Sequence, residues 1–103
     1  HINALAHLLH VLDYHFRNEP NVYVAGNMLM YYRRGDPSAV VSPDVYVVMG
    51  IAKRLRRTYK LWEEQQPPTV VFELTSKSTK RNDLTTKYRL YESWGVQEYF
   101  LFD

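Results

Sequence analysis

PPTVVFELTS, residues 67–76, sets two prolines before a run of β-branched and aromatic residues, the composition of a strand. One charged residue, Glu73, lies inside the apolar run Val70, Val71, Phe72, Glu73, Leu74. SPDVYVVMG, residues 42–50, is a second such stretch. It predicts a short strand over roughly Val45 to Met49, apolar on both faces as a central strand should be, and Asp44 opens it. A carboxylate in such a place needs a partner, because burying one alone is costly.

Downstream, KSTKRND is polar, and Asp83 is a plausible N-cap for a helix over about Leu84 to Trp94. Gly95 closes that helix in the C′ position, and QEYFLFD predicts a last strand. Upstream, HINALAHLLHVLDYHFRN carries Ile2, Leu5, Leu8, Leu9, Leu12 and Phe16 at helical spacing. Asn18, Pro20 and Asn21 stop it. NVYVAGNMLMYYRR predicts one strand over about Val22 to Tyr32, with Gly26 marking a bulge or bend. Gly35, Asp36 and Pro37 make a turn. The basic stretch after Met49 is expected to be a loop ending near Glu63 and Glu64. The order is helix, three strands, helix, strand, which implies an α/β fold with a mixed central sheet flanked by helices. No internal repeat or low-complexity segment interrupts it.

The chain has 103 residues, enough for one small domain with one core. Its apolar share of 46% and charged share of 23% are those of an ordinary globular protein, not a disordered tail. No apolar run approaches the roughly 18 residues of a spanning helix, which argues against a membrane partner. The absence of cysteine excludes disulfides and Cys-ligated zinc and fits a cytoplasmic location. The first residue is His1 and no signal peptide is evident, so a fragment of a longer protein is expected. The formal charge of +2 permits nucleic acid as a partner. The positive residues crowd two stretches: Lys53, Arg54, Arg56, Arg57 and Lys60 in one, Lys77, Lys80 and Arg81 in the other. Of these, Lys53, Arg54, Arg56, Arg57, Lys77, Lys80 and Arg81 are the candidates for phosphate contact.

If the strands of Asp44 and Glu73 are neighbours, their carboxylates approach each other. Two close carboxylates repel, and a divalent cation removes that cost. Hard oxygen ligands favour Mg²⁺ or Mn²⁺, and Mg²⁺ takes only one or two carboxylates besides waters and substrate phosphate. Lys87 lies between Leu84 and the pair Leu90 and Tyr91, which mark the buried side of the helix. Its ammonium can thus point along the sheet towards the acids. A cation, a water and a nearby amine are the parts needed to hydrolyse a phosphodiester.

Each feature also has a structural reading. Asp44 after Pro43 can be a turn residue, Glu73 half of a structural ion pair, and Lys87 a side chain reaching water from a helix edge. The Lys53–Lys60 run can be a solvated loop. His1, His7, His10 and His15 form no credible metal site, since no HExxH pattern accompanies them. No P-loop, GxGxxG or GxSxG motif is present, and Ser76, Ser78 and Thr79 have no adjacent histidine to make a serine hydrolase.

Pro43-Asp44, then Glu73 in a strand, then a lysine, resembles the PD-(D/E)XK nuclease superfamily. More narrowly, SPDVYVV and PPTVVFELTSKSTKRNDLTTKYRLYESWGVQEYFLFD resemble the Uma-two family of bacterial restriction endonucleases. The match covers nearly the whole chain. It implies a restriction-endonuclease-like core and Mg²⁺-dependent cleavage of nucleic acid, DNA in the first place, with Asp44 and Glu73 as metal-binding acids. The superfamily's usual lysine position, two after the glutamate, is Thr75 here; the family places a lysine on the following helix, at Lys87. Asp44, Glu73 and Lys87 are then the expected catalytic set. Members usually also carry an upstream hairpin with a further glutamate and more strand after the LFD segment.

Two other readings compete with a metal-dependent endonuclease. Thr75 at the usual lysine position suits a nucleic-acid-binding module that has lost catalysis. The nine tyrosines and Trp62 suit a dimerisation domain, since aromatic residues are enriched at interfaces. A homodimer is also compatible with the nuclease, because two active sites would cut two strands.

Overall fold

The computed structural model describes residues 2–74 and 81–102. Helix α1 spans Ile2–His15, and strands β1 (Val22–Gly26), β2 (Met30–Tyr31), β3 (Val40–Val41) and β4 (Val45–Met49) follow. Then come β5 (Tyr59–Lys60), the single turn α2 (Leu61–Glu64), β6 (Val70–Leu74), helix α3 (Arg81–Trp94) and β7 (Glu98–Phe102). No helix among the described residues is long and apolar enough to cross a membrane.

Four strands form the main sheet in the order β1-β4-β6-β7. β1/β4 and β4/β6 are antiparallel, whereas β6 and β7 are parallel. A parallel pair needs a crossover, and α3 provides it. The sheet is therefore mixed, as the strand-helix-strand pattern from Val70 onwards predicts. A second sheet, β3-β2-β5, is small.

The register sorts side chains onto two faces. Tyr23, Ala25, Tyr46, Val48 and Val71 lie on one face and build the core with Met30, Ile51, Tyr59 and Tyr91. Trp94 ties α3 to the small sheet region, its ring 5.6 Å from Tyr91 and 5.4 Å from Tyr32. α1 covers the other face. Gly26 there permits close approach, since a Cβ on it would stand 2.7 Å from Leu9 Cδ2. Phe72 and Phe100 stack on the same face at 5.3 Å.

Three expectations need correction. The strand expected over Val22 to Tyr32 is two strands in two sheets. The chain turns at Asn27, whose φ of 52° lies in the left-handed region, and Gly26 is the last residue of β1 rather than a bulge. The basic stretch ends in β5 and α2 instead of running as loop to Glu64. Asp83 lies within α3, which already includes Arg81, so it does not cap the helix from outside. Gly95 does close α3, with φ of 82° and the Val96 N–H donating to the Tyr91 carbonyl at 3.1 Å.

Candidate active site

β4 and β6 are registered Val45 to Phe72 and Tyr46 to Val71. One further step of that register sets Asp44 opposite Glu73, on the face that carries Tyr46, Val71 and α3. Directly opposed residues of an antiparallel pair have Cβ atoms about 4.5–5.5 Å apart. The two acids thus meet at one end of the sheet because two strands, 30 residues apart in sequence at the Asp44–Leu74 contact, pair in this register.

Asp44 is fixed by its backbone and its side chain. Its carbonyl accepts the Asn27 N–H at 3.0 Å, and its Oδ2 accepts the Leu74 N–H at 2.7 Å. The buried Pro43 precedes it. Oδ1 has no hydrogen-bond partner among the described residues. Glu73 is buried, only 4% exposed. Its Oε1 accepts from Lys87 Nζ at 2.9 Å and its Oε2 from the Tyr91 hydroxyl at 2.6 Å. These contacts meet the requirement that a buried carboxylate be paired and hydrogen-bonded.

Lys87 and Tyr91 are four apart on α3, so they share one helix face. Burial above all, then the charge of Glu73 and the hydrogen bond to it, hold the Tyr91 hydroxyl protonated well above the usual phenol range. Asp44 adds a smaller push in the same direction, a sign that its charge belongs to the same cluster. The structure therefore brings together Asp44, Glu73 and Lys87. It adds Tyr91, which sequence analysis uses only as a marker of the buried side. Its four-residue spacing from Lys87 was the available signal, but a tyrosine on an apolar face is more often plain core.

Two hard carboxylates suit a magnesium-like ion, which needs one or two of them and completes its shell with water and phosphate oxygen. Among the described residues there is no group of three or more His, Cys, Asp or Glu that could hold a metal. His7, His10 and His15 are exposed on α1, the helix that covers the opposite face of the sheet.

The first basic stretch is not uniformly available to a ligand. Lys53 Nζ donates to the Val22 carbonyl at 2.9 Å, near the end of β1 remote from Asp44. The Arg56 side chain is only 3% exposed and binds Glu64 through two nitrogens, at 2.7 and 3.2 Å. Its guanidinium also lies 4.4 Å from the Tyr23 ring centre. Burial by itself would lower the Arg56 pKa; the hydrogen bond and charge of Glu64 outweigh it and raise it. Arg56 is thus held inward as an internal strut between Glu64 and Tyr23. Arg54 is exposed and also reaches Glu64, at 3.3 Å. Arg57 and Lys60 are exposed. Thr75, Lys77 and Lys80, and the Arg81 side chain, lie outside the described residues.

The Uma2 family model, described as "Putative restriction endonuclease", matches residues 1–103. A crystal structure from Anabaena variabilis ATCC 29413, described as "a putative nuclease belonging to DUF820", superposes with a TM-score of 0.68 at 13% identity. The superposition covers 94% of this chain and 52% of that one, so this chain spans about half of that protein's length. At that identity the likeness concerns the fold. No curated protein matches the chain.

Proposed function

This chain belongs to the Uma2 family of restriction-endonuclease-like proteins, and on that premise we propose that it is the core of a divalent-metal-dependent endonuclease acting on nucleic acid, with DNA as the first substrate to test. The observation that carries the proposal is that Asp44, whose Oδ2 accepts the N–H of Leu74 at 2.7 Å, is held beside the strand end that carries Glu73, with Lys87 Nζ 2.9 Å from Glu73.

In this reading Asp44 and Glu73 hold one Mg²⁺ or Mn²⁺. When bound, the cation polarises a phosphate oxygen and lowers the pKa of water. The protein's own residues do the rest. Asp44 is preorganised by the Leu74 N–H and the fixed backbone at Asn27. Tyr91 fixes the rotation of the Glu73 carboxylate by holding Oε2. Lys87 supplies a positive charge at the place where a phosphate gains negative charge in the transition state, or orients the attacking water. Exposed Arg54, Arg57 and Lys60, with Lys77, Lys80 and Arg81, are candidates to contact the phosphate backbone. A homodimer would place two such centres on two strands.

Plasmid nicking by the full-length protein tests this. Mg²⁺ or Mn²⁺ should support nicking, and Glu73→Ala should abolish it with the circular dichroism spectrum unchanged. Cleavage by Glu73→Ala at the wild-type rate overturns the assignment. The Lys87–Glu73 ion pair also suits a non-catalytic module that binds nucleic acid. That reading predicts salt-dependent binding without metal-dependent cleavage.

A further inference from the structure

The two donors on Glu73 differ in how firmly they are held. Tyr91 is 1% exposed, and its ring packs against Trp94 at 5.6 Å and edge-on against Tyr99 at 5.0 Å. Its hydroxyl has little freedom to leave Oε2. The Lys87 side chain is 23% exposed. It is a compact charge on a flexible four-carbon stem that can swing towards water. An ammonium and a divalent cation on the same carboxylate oxygen repel each other, so a cation entering between Asp44 and Glu73 competes with the Lys87 ammonium at Oε1.

We infer that Lys87 is an exchangeable counter-ion on Oε1 of Glu73, occupying the place a divalent cation takes, whereas Tyr91 keeps Oε2 throughout. This rests on Asp44 and Glu73 being the cation's ligands. The ion pair has two consequences. It neutralises a buried carboxylate while no cation is present, which lets the site exist without a third acid. It also makes binding a competition, since the apparent affinity falls by the fraction of time Oε1 is free. Displacement moves the ammonium off Oε1 of Glu73 and leaves it beside the site. Lys87 is thus released for work on phosphate or water by the same event that loads the site.

Calorimetric titration of the full chain with Mn²⁺, without nucleic acid, tests the competition. If Lys87 holds Oε1 about nine-tenths of the time, Lys87→Met should tighten binding about tenfold. Lys87→Gln, which keeps a hydrogen-bond donor without the charge, should fall between wild type and Lys87→Met and covers the case where Lys87→Met does not fold. Tyr91→Phe should weaken binding, since Glu73 then loses its fixed orientation. In wild type, acetic anhydride labelling read by mass spectrometry should modify Lys87 faster with Mn²⁺ than without, with the exposed Lys60 as the unchanged reference. Unaltered or weaker Mn²⁺ binding by both Lys87 variants, or Lys87 labelling indifferent to bound Mn²⁺, overturns the inference alone. Mn²⁺ binding that Glu73→Gln leaves intact overturns the two-acid site and this inference with it.

Discussion

The carboxylate of Asp44 accepts the backbone N–H of Leu74 at 2.7 Å, so one acid braces the strand that carries the other. Asp44 has two separable roles, an acceptor and a charge. Asp44→Asn keeps an acceptor of the same size and should hold stability within about 1 kcal/mol of wild type while abolishing cation binding. Asp44→Ala leaves the N–H of the buried Leu74 without its acceptor and should cost about 1–3 kcal/mol. Urea unfolding separates the two variants. Equal destabilisation by both would show that the charge, not the acceptor, braces β6.

Arg56 and Arg57 are adjacent in sequence and opposite in consequence. Arg56→Ala breaks the two-nitrogen pair with Glu64 and leaves that acid, only 12% exposed, without its main partner. Its cost should be about 3 kcal/mol in thermal or urea unfolding. Arg57→Ala removes an exposed charge and should change stability by less than about 0.5 kcal/mol. If Arg57 touches phosphate, its loss should flatten the log–log salt dependence of nucleic-acid binding by roughly 0.9. A destabilised Arg57→Ala protein, or a fully stable Arg56→Ala protein, would contradict the assignment of strut and surface charge.

The buried tyrosines predict an alkaline limit. Burial is the leading cause that raises the phenol pKa of Tyr23, Tyr46, Tyr59 and Tyr91. The unfolded chain ionises these groups near pH 10. A group whose folded pKa is raised contributes stability that is fully present below its unfolded pKa and is lost as pH rises towards the folded one. Melting temperature should therefore drop above about pH 10. Absorbance of tyrosinate at fixed temperature should show part of the nine tyrosines appearing only with unfolding. Complete ionisation of all of them in the folded protein would contradict the packing of this core.

The strands β4 and β6, the helix α3 and its glycine stop were legible because each is a continuous local pattern. Both acids were legible for the same reason, as charges out of place at or inside apolar strands. The split of β1 from β2 was hidden, since Asn27 adopts a left-handed backbone without being glycine. β3 and β5 were hidden because two residues carry no periodicity and owe their conformation to partners elsewhere. The fate of Arg56 depended on Glu64, eight residues on, and on Tyr23 across the fold. A run of basic residues looks the same whether its members face water or bind inward. Tyr91 was visible as core, but not as a donor to Glu73, because its partner lies 18 residues away on another element.

Whether Asp44 and Glu73 share one divalent cation is decided by anomalous diffraction from Mn²⁺-soaked crystals of the full-length protein. One anomalous peak is expected about 2.1 Å from an oxygen of each carboxylate. Mn²⁺ bound elsewhere, with both carboxylates keeping the partners described here, would contradict it.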